Sequence, residues 1–321
     1  MAQACRPICR SAFVLPPNFK LQQWFPGHMA IGLKQMQGKL RSVDCIVEVH
    51  DARIPFSGRD LDFQNVFRRI KPYILVLNKA ELVSDQYRSK IEELMRRRYQ
   101  VSNLMFASFN TNYFKACRRL IKLIQEVITA SGRFNRQLSY DYAFMVTGVP
   151  NVGKSSLINA LRSTFTNRGK GSAVGKNPGV TRSVLMKIRV SETPPIYVLD
   201  TPGVLTPGLA SQDPESILKL AICESIAENR ITREMLVDYL LYRWNKYGNL
   251  TYVKQLELDG PTDDVVKLLA HVALRHNLRF ESAFFRQDVA SALNMEAAAN
   301  KILKLFRHNV FGDQFLDSEH L

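Results

Sequence analysis

The stretch Gly148-Val-Pro-Asn-Val-Gly153-Lys154-Ser155 sets two glycines around four residues, then a lysine and a hydroxyl. That spacing lets backbone N–H groups wrap a phosphate chain at the start of a helix. Lys154 can reach β- and γ-phosphates and Ser155 can bind magnesium, while Asn151, Val152, Gly153 and Ser156 complete the loop. Further on, Ile196-Tyr-Val-Leu-Asp200-Thr-Pro-Gly203 is an apolar run ending in D-x-x-G. Asp200 can hold magnesium through water, and the Gly203 N–H can meet a γ-phosphate. Between the two, Asn177-Pro-Gly-Val-Thr181-Arg182 offers Thr181, the hydroxyl that would close the magnesium shell when a γ-phosphate is present. Three such elements in series read as a phosphate-loop nucleoside triphosphatase.

A base-reading loop lies upstream. Asn78-Lys79-Ala80-Glu81 follows the apolar run Tyr73-Leu77. In an N-K-x-acid loop the Asn meets the edge of guanine and the Lys stem packs on the ring. The acid accepts from the ring N–H and the exocyclic amine, a pair that adenine lacks. Here that acid is Glu81, one methylene longer than Asp. Ser108, after the run Leu104-Ala107, would add a second base contact through backbone N–H. The chain thus reads base loop, phosphate loop, threonine switch, D-x-x-G, a circular permutation of the ordinary order. Ligands of open α/β sheets bind at the carboxyl ends of strands whatever the chain order, so permutation is sterically allowed. Its mechanical result is that the segment after D-x-x-G runs straight into the C-terminal region, a short covalent lever for nucleotide state.

The elements that must position these loops are legible as short apolar runs: Cys45-Val49, Tyr73-Leu77, Leu104-Ala107, Tyr142-Val146, Val184-Val190 and Ile196-Leu199. Continuous apolarity fits strands buried on both faces. Helices are expected from Ser84 or Asp85 to Arg98, from Asn112 to Ile128, and from Ser155 to Leu161. The fold class is therefore α/β, a mostly parallel sheet with helices on both faces. After about Asp213 the pattern turns helical: Asp213 to about Glu228, Thr232 to Trp244, Asp263 to His276, Asp288 to Arg307. The expected organisation is a leader-like segment at 1–20, a permuted nucleotide-binding domain at 21–210, and a smaller helical domain at 211–321.

Charge is unevenly placed. The net charge is +15. Residues 1–212 hold 31 Lys and Arg against 13 Asp and Glu, whereas 213–321 hold 13 against 16. Such asymmetry points to a polyanionic partner, nucleic acid before acidic lipid. Around the threonine switch, Arg162, Arg168, Lys170, Lys176 and Arg182 come without an intervening acid and are the first candidates for RNA phosphates. The first acid in the chain is Asp44, and the start MAQACRPICRSAFVLPPNFK has the basic, acid-free character of a mitochondrial presequence. Five scattered cysteines without C-x-x-C or His spacing argue against a zinc site and for reduced thiols. No apolar run approaches the ~18–20 residues a membrane span needs.

Taken together, Trp24-Phe-Pro-Gly-His28-Met29, Asp51-Ala-Arg-Ile-Pro55 with Ser57-Gly-Arg59, Asn78-Lys79-Ala-Glu81, Gly148 to Ser155, Pro178-Gly-Val-Thr181-Arg182 and Asp200-Thr-Pro-Gly203-Val204 resemble the circularly permuted GTPases that assist large ribosomal subunit assembly, in their mitochondrial branch. The likeness spans about residues 20–245. It implies GTP and GDP as ligands, Mg2+ as cofactor, and the rRNA and proteins of the large mitochondrial subunit as partners. It further implies a monomer in the mitochondrial matrix, at most peripheral to the inner membrane. Val204 stands where Ras-like proteins orient water with Gln, so unaided hydrolysis should be slow. The resemblance suggests His28 as the water-orienting group and Asn151 as a ligand for K+, with Thr181, Asp200 and Gly203 completing the catalytic set. Two rival readings stay open: a nucleotide-dependent RNA- or membrane-binding switch that hardly hydrolyses, and an ATPase or small-molecule kinase, which Asn78-Lys79 argues against.

Overall fold

The computed structural model describes residues 10–15, 34, 36–59, 67–133, 136–166, 187–201, 214–226, 231–279 and 293–321. They divide into two compact units, Leu21–Ala227 with Phe315–Leu321, and Met1–Lys20 with Glu228–Gln314.

The first unit is built on six strands: β1 (Cys45–Asp51), β2 (Tyr73–Asn78), β3 (Leu104–Phe106), β4 (Tyr142–Thr147), β5 (Lys187–Ser191) and β6 (Ile196–Asp200). Their order across the sheet is β3-β2-β1-β4-β6-β5. Every residue of β1 and β2 is buried. Successive side chains point to opposite faces, so both faces of the sheet are covered, as the continuous apolar runs require. The pairs β3-β2, β2-β1, β1-β4 and β4-β6 are parallel. β5 is antiparallel to β6, because only the short turn Glu192–Pro195 joins them and a parallel pair needs a long crossover.

Three helices cover this sheet: α1 (Asp85–Arg97), α2 (Tyr113–Thr129) and α3 (Lys154–Phe165). α2 buries Cys117, Leu120, Ile121, Ile124 and Ile128, a 3–4 residue spacing that makes one apolar stripe. Cys45, Cys117 and Cys223 are free and buried, and burial pushes the Cys117 thiol up to about 12. Cys5 and Cys9 lie outside the described residues.

Helix α4 (Pro214–Ile222) is shorter than the sequence suggested and groups with the sheet, although it was expected within a helical domain from 211. It ends where Glu224 adopts a left-handed conformation at φ 61°, which cannot continue a right-handed helix. The last seven residues group with the sheet as well. Leu316 N donates to Arg53 O at 2.9 Å, and Phe315 stacks on Tyr87 with centroids 4.7 Å apart. The buried Asp317 carboxylate accepts from Phe56 N, Ser57 N and Ser57 Oγ at 2.8, 2.8 and 2.6 Å. The same carboxylate pairs with Lys219 of α4 at 3.1 Å, both side chains being 0% exposed. The chain's last residues therefore lock the helix that follows D-x-x-G to the loop that follows β1.

The second unit contains α5 (Arg233–Lys246), α6 (Thr251–Gln255), α7 (Val265–Arg275) and α8 (Met295–Arg307). Thr232, Asp264 and Asn294 cap three of them with side-chain oxygens. The helix expected from Asp288 begins at Met295, and residues 280–292 lie outside the described residues. Trp244, stacked on Tyr252 at 5.4 Å and beside Phe311 at 4.8 Å, centres its core. Residues from the leader-like start also rest here. Arg10 pairs with Asp238 at 2.7 Å and Asp263 at 3.1 Å, while Phe13 meets Tyr239 edge-on at 5.1 Å. Among the described residues no helix is long and apolar enough to cross a membrane.

The Asp317 cluster yields a stability test. Asp317→Ala removes the acceptor of three donors and leaves Lys219 with the partly exposed Glu319, so the cost lies toward the lower end of the about 3–5 kcal/mol of a broken buried pair. Urea unfolding at unchanged m should show a midpoint lowered by that free energy divided by m. An unshifted midpoint would contradict the buried pairing.

Candidate nucleotide site

β4 feeds the phosphate loop from the middle of the sheet, so the loop emerges at the carboxyl ends of β1, β2, β4 and β6 together. Gly148 has φ 139°, and a Cβ there would lie 2.1 Å from Val49 O of the adjacent strand. Gly153 has φ 100°, and its Cβ would lie 2.2 Å from Nδ2 of Asn78. Both positions thus exclude any other residue on space as well as conformation. α3 starts at Lys154, which sets Lys154, Ser155 and Ser156 in its first turn, where N–H groups lack partners within the helix.

Asn78, at the tip of β2, joins the base loop to the phosphate loop. Its Nδ2 donates to Val152 O at 2.8 Å, and its Oδ1 accepts from Phe109 N at 3.2 Å. Residues 78, 108–109 and 152–153 are thereby held around one buried carboxamide. Ala80 N donates to Ala107 O at 3.0 Å, fixing the two base-side loops to each other. Ser108 is half-buried beside this contact, and Glu81 stands exposed on the single 3-10 turn Ala80–Leu82. Lys79 is left-handed at φ 59°, and its Nζ lies 2.8 Å from Oδ2 of Asp51. Burial alone would raise the Asp51 pKa, but Arg53 and Lys79 outweigh it and hold the carboxyl far below the usual range.

On the phosphate side, Lys154 Nζ donates to Gly148 O at 3.0 Å and Val149 O at 2.7 Å, so it curls over its own loop. Asp200 ends β6 opposite Val146 and is 7% exposed. The charge of Asp200 acts on Lys154, which places the carboxylate within electrostatic reach of the phosphate loop. A hydroxyl in the first turn of α3 and a buried carboxylate at the end of the neighbouring strand are hard-oxygen donors, a chemistry that fits a magnesium ion at Ser155 and Asp200. Asn151 is left-handed at φ 57°, and its Nδ2 donates to Glu224 O at 2.8 Å, so the phosphate loop touches the end of α4.

The described residues bring together Asn78, Lys79, Ser108, Asn151, Val152, Gly153, Lys154, Ser155, Ser156 and Asp200 at one sheet edge. Glu81 lies on the same loop. Arg162 is half-buried in the last turn of α3. His28, Thr181, Gly203, Arg168, Lys170, Lys176 and Arg182 lie outside the described residues. Two features had no motif to announce them: Asn78 bonding to Val152, and Asp51 with Arg53 behind Lys79. For the second, the stretch Asp51-Ala-Arg is part of the family resemblance, but its spacing alone indicates no role.

Burial lowers the Lys154 pKa from 10.5 to about 8, with Asp200 opposing part of the shift. Unfolded lysine binds more protons than the folded one between these values, so the Lys154 contribution to stability rises as pH climbs through that window. Polyphosphate beside Nζ favours the charged form, so binding takes up a proton above about pH 8. Guanine-nucleotide affinity should be flat below about pH 7 and fall by up to tenfold per unit above about 8. Calorimetry across buffers of different ionisation heat reads this directly, and affinity constant to pH 9.5 would contradict it.

Comparison with known proteins agrees with this geometry. A family model described as 50S ribosome-binding GTPase matches residues 143–247. Mitochondrial GTPase 1 of Aedes aegypti is 40% identical over 305 residues, covering 94% of this chain and 95% of the relative. Mitochondrial ribosome-associated GTPase 1 of Mus musculus is 39% identical over 321 residues, covering 98% and 96%. Among solved structures, GNP-bound YlqF from T. maritima superposes with a TM-score of 0.54 at 19% identity, covering 87% of this chain and 94% of that one, a likeness of fold. With permuted loops converging on one edge and full-length relatives near 40% identity, the chain belongs to the mitochondrial ribosome-associated GTPase 1 family of circularly permuted GTPases.

Proposed function

We propose that this GTPase docks on the large subunit of the mitochondrial ribosome and hydrolyses GTP as a checkpoint in that subunit's assembly, supporting mitochondrial translation. Support comes from relatives named mitochondrial ribosome-associated GTPase 1 over nearly the whole chain. The excess of Lys and Arg over residues 1–212 suits rRNA phosphates. The single observation that carries the nucleotide-binding part of this reading is the Asn78 bridge, which joins the proposed base loop to the phosphate loop.

In this reading Asn78, Lys79, Glu81 and the Ser108 loop hold guanine. Backbone N–H groups of residues 151–156 and the Lys154 ammonium hold the phosphates. Lys154 leaves Gly148 O and Val149 O to meet them, exchanging two neutral acceptors for charged ones. A magnesium ion would be held by Ser155 and Thr181, with Asp200 reaching it through water, and would supply positive charge to the phosphates. Gly203 N–H senses the γ-phosphate. Val204 cannot orient water, so His28 is assigned that task and Asn151 is assigned to hold a potassium ion. A solitary chain then hydrolyses slowly, and docking completes the site. Arg162, Arg168, Lys170, Lys176 and Arg182 are the proposed RNA contacts. The working form is a monomer in the mitochondrial matrix, with any inner-membrane association peripheral. Val204 equally favours a second reading, a GTP-dependent RNA- or membrane-binding switch with little turnover of its own.

Steady-state hydrolysis in potassium buffer, with and without large mitochondrial subunits and with ATP as control, separates the two. The checkpoint reading expects at least about tenfold stimulation of GTP hydrolysis alone, within the range that a completed catalytic set provides. Subunit binding without stimulation would favour the switch, and absence of both would refute ribosomal docking.

A further inference from the structure

The loop Asp51-Ala-Arg-Ile-Pro55 has no assigned role. Asp51 ends β1 directly beside Asn78 in the parallel register, and Ala52 N donates to Asn78 O at 2.8 Å. The Asp51 carboxylate is fully buried and accepts from Arg53 N at 3.0 Å, Arg53 Nε at 2.9 Å and Arg53 Nη2 at 2.8 Å. Arg53, with 3% of its side chain exposed, already neutralises it in a two-point pairing. The additional bond from Lys79 Nζ is therefore not needed to balance charge. Its effect falls on Lys79, whose flexible stem is stretched from a left-handed backbone to a fixed point while 19% of the side chain stays exposed. An anchored stem is ordered before any ligand arrives.

We propose that Asp51 is a positioning residue of the base site: by fixing the Lys79 ammonium, it lays the lysine stem down as the flat apolar surface on which the purine ring rests. Arg53 serves as the rigid support that holds the Asp51 carboxylate in place. Because the ammonium is spent on Asp51, Lys79 contributes packing surface to the base rather than charge to the phosphates. Such packing is felt equally by bound GTP, GDP and the transition state, so it sets affinity and not turnover. This rests on the reading that the Asn78-Lys79 loop holds guanine.

The test is a set of purified full-length variants assayed for binding of a fluorescent GDP, for KM and kcat with GTP, and for nucleotide-free Tm. Asp51→Asn should weaken GDP by roughly tenfold and raise KM alike, with kcat at saturation unchanged within about twofold. That variant leaves Arg53 with a neutral partner and can lose stability, so Lys79→Met is the second arm. It keeps an unbranched stem and leaves the Asp51–Arg53 pair whole. It should weaken GDP comparably at near-native Tm, and the double variant should bind no more weakly than either single one. Arg53→Gln, by contrast, should lower Tm more than affinity. Native GDP affinity in Lys79→Met, or additive losses in the double variant, would overturn the proposal. If Lys79→Ala and Asn78→Ala also bind GDP normally, the base-site reading itself fails. If those two weaken binding while Asp51→Asn does not, only the positioning role is wrong.

Discussion

The carboxamide of Asn78 bonds at both ends inside the protein, to Val152 O through nitrogen and to Phe109 N through oxygen. A buried amide satisfied in this way is costly to disturb, because removing one partner strands the other away from water. Three loops distant in sequence depend on it. Gly153 must lack a side chain because Nδ2 of Asn78 occupies that space. The order of motifs along the chain then matters little: whichever half is synthesised first, the two meet at the tips of β1, β2 and β4 and are held by one side chain.

A second layer of buried polar contacts surrounds the first. Asp51 ties the base loop to Arg53, and the Arg53 carbonyl receives Leu316 N from the chain's last segment. Asp317 then joins Ser57 to Lys219 on α4, and α4 ends at Glu224, whose carbonyl takes the Asn151 amide of the phosphate loop. The contacts form a closed circuit from base loop to phosphate loop by way of the helix that follows D-x-x-G. In the ordinary motif order that helix would lie inside the domain. Here it is the last sheet-side element before the chain enters the helical unit, and the returning tail is fastened to it. The chain thus leaves the first unit just after α4, and the returning segment Phe315–Leu321 is fastened to that helix.

Much of this was legible before the structure. Five of the apolar runs became the parallel strands β1, β2, β3, β4 and β6 because strands covered on both faces need no alternation, whereas the run at 184–190 contributes the antiparallel edge strand Lys187–Ser191. The phosphate and base loops were legible because their chemistry demands fixed spacing. What escaped was set by contacts between distant residues. Nothing in Pro214–Glu228 announces that the helix stops at Ile222, since the left-handed Glu224 is held by its surroundings and not by its own preference. The grouping of 315–321 with the sheet was equally hidden, because an Asp at 317 looks like a surface charge until Ser57 and Lys219 surround it. Asp51 was visible as part of a pattern but silent about its purpose, which needs the 2.8 Å contact to Lys79.

Amide hydrogen exchange of the phosphate loop in Asn78→Ala, without nucleotide and alongside the unaltered protein, tests the central claim most directly. The account predicts that amides of residues 149–154 lose protection while those of β4 and α2 keep theirs, with guanine-nucleotide binding lost in parallel. Unchanged protection of the phosphate loop would contradict it, for the two halves of the site would then be ordered independently and Asn78 would act on the base alone.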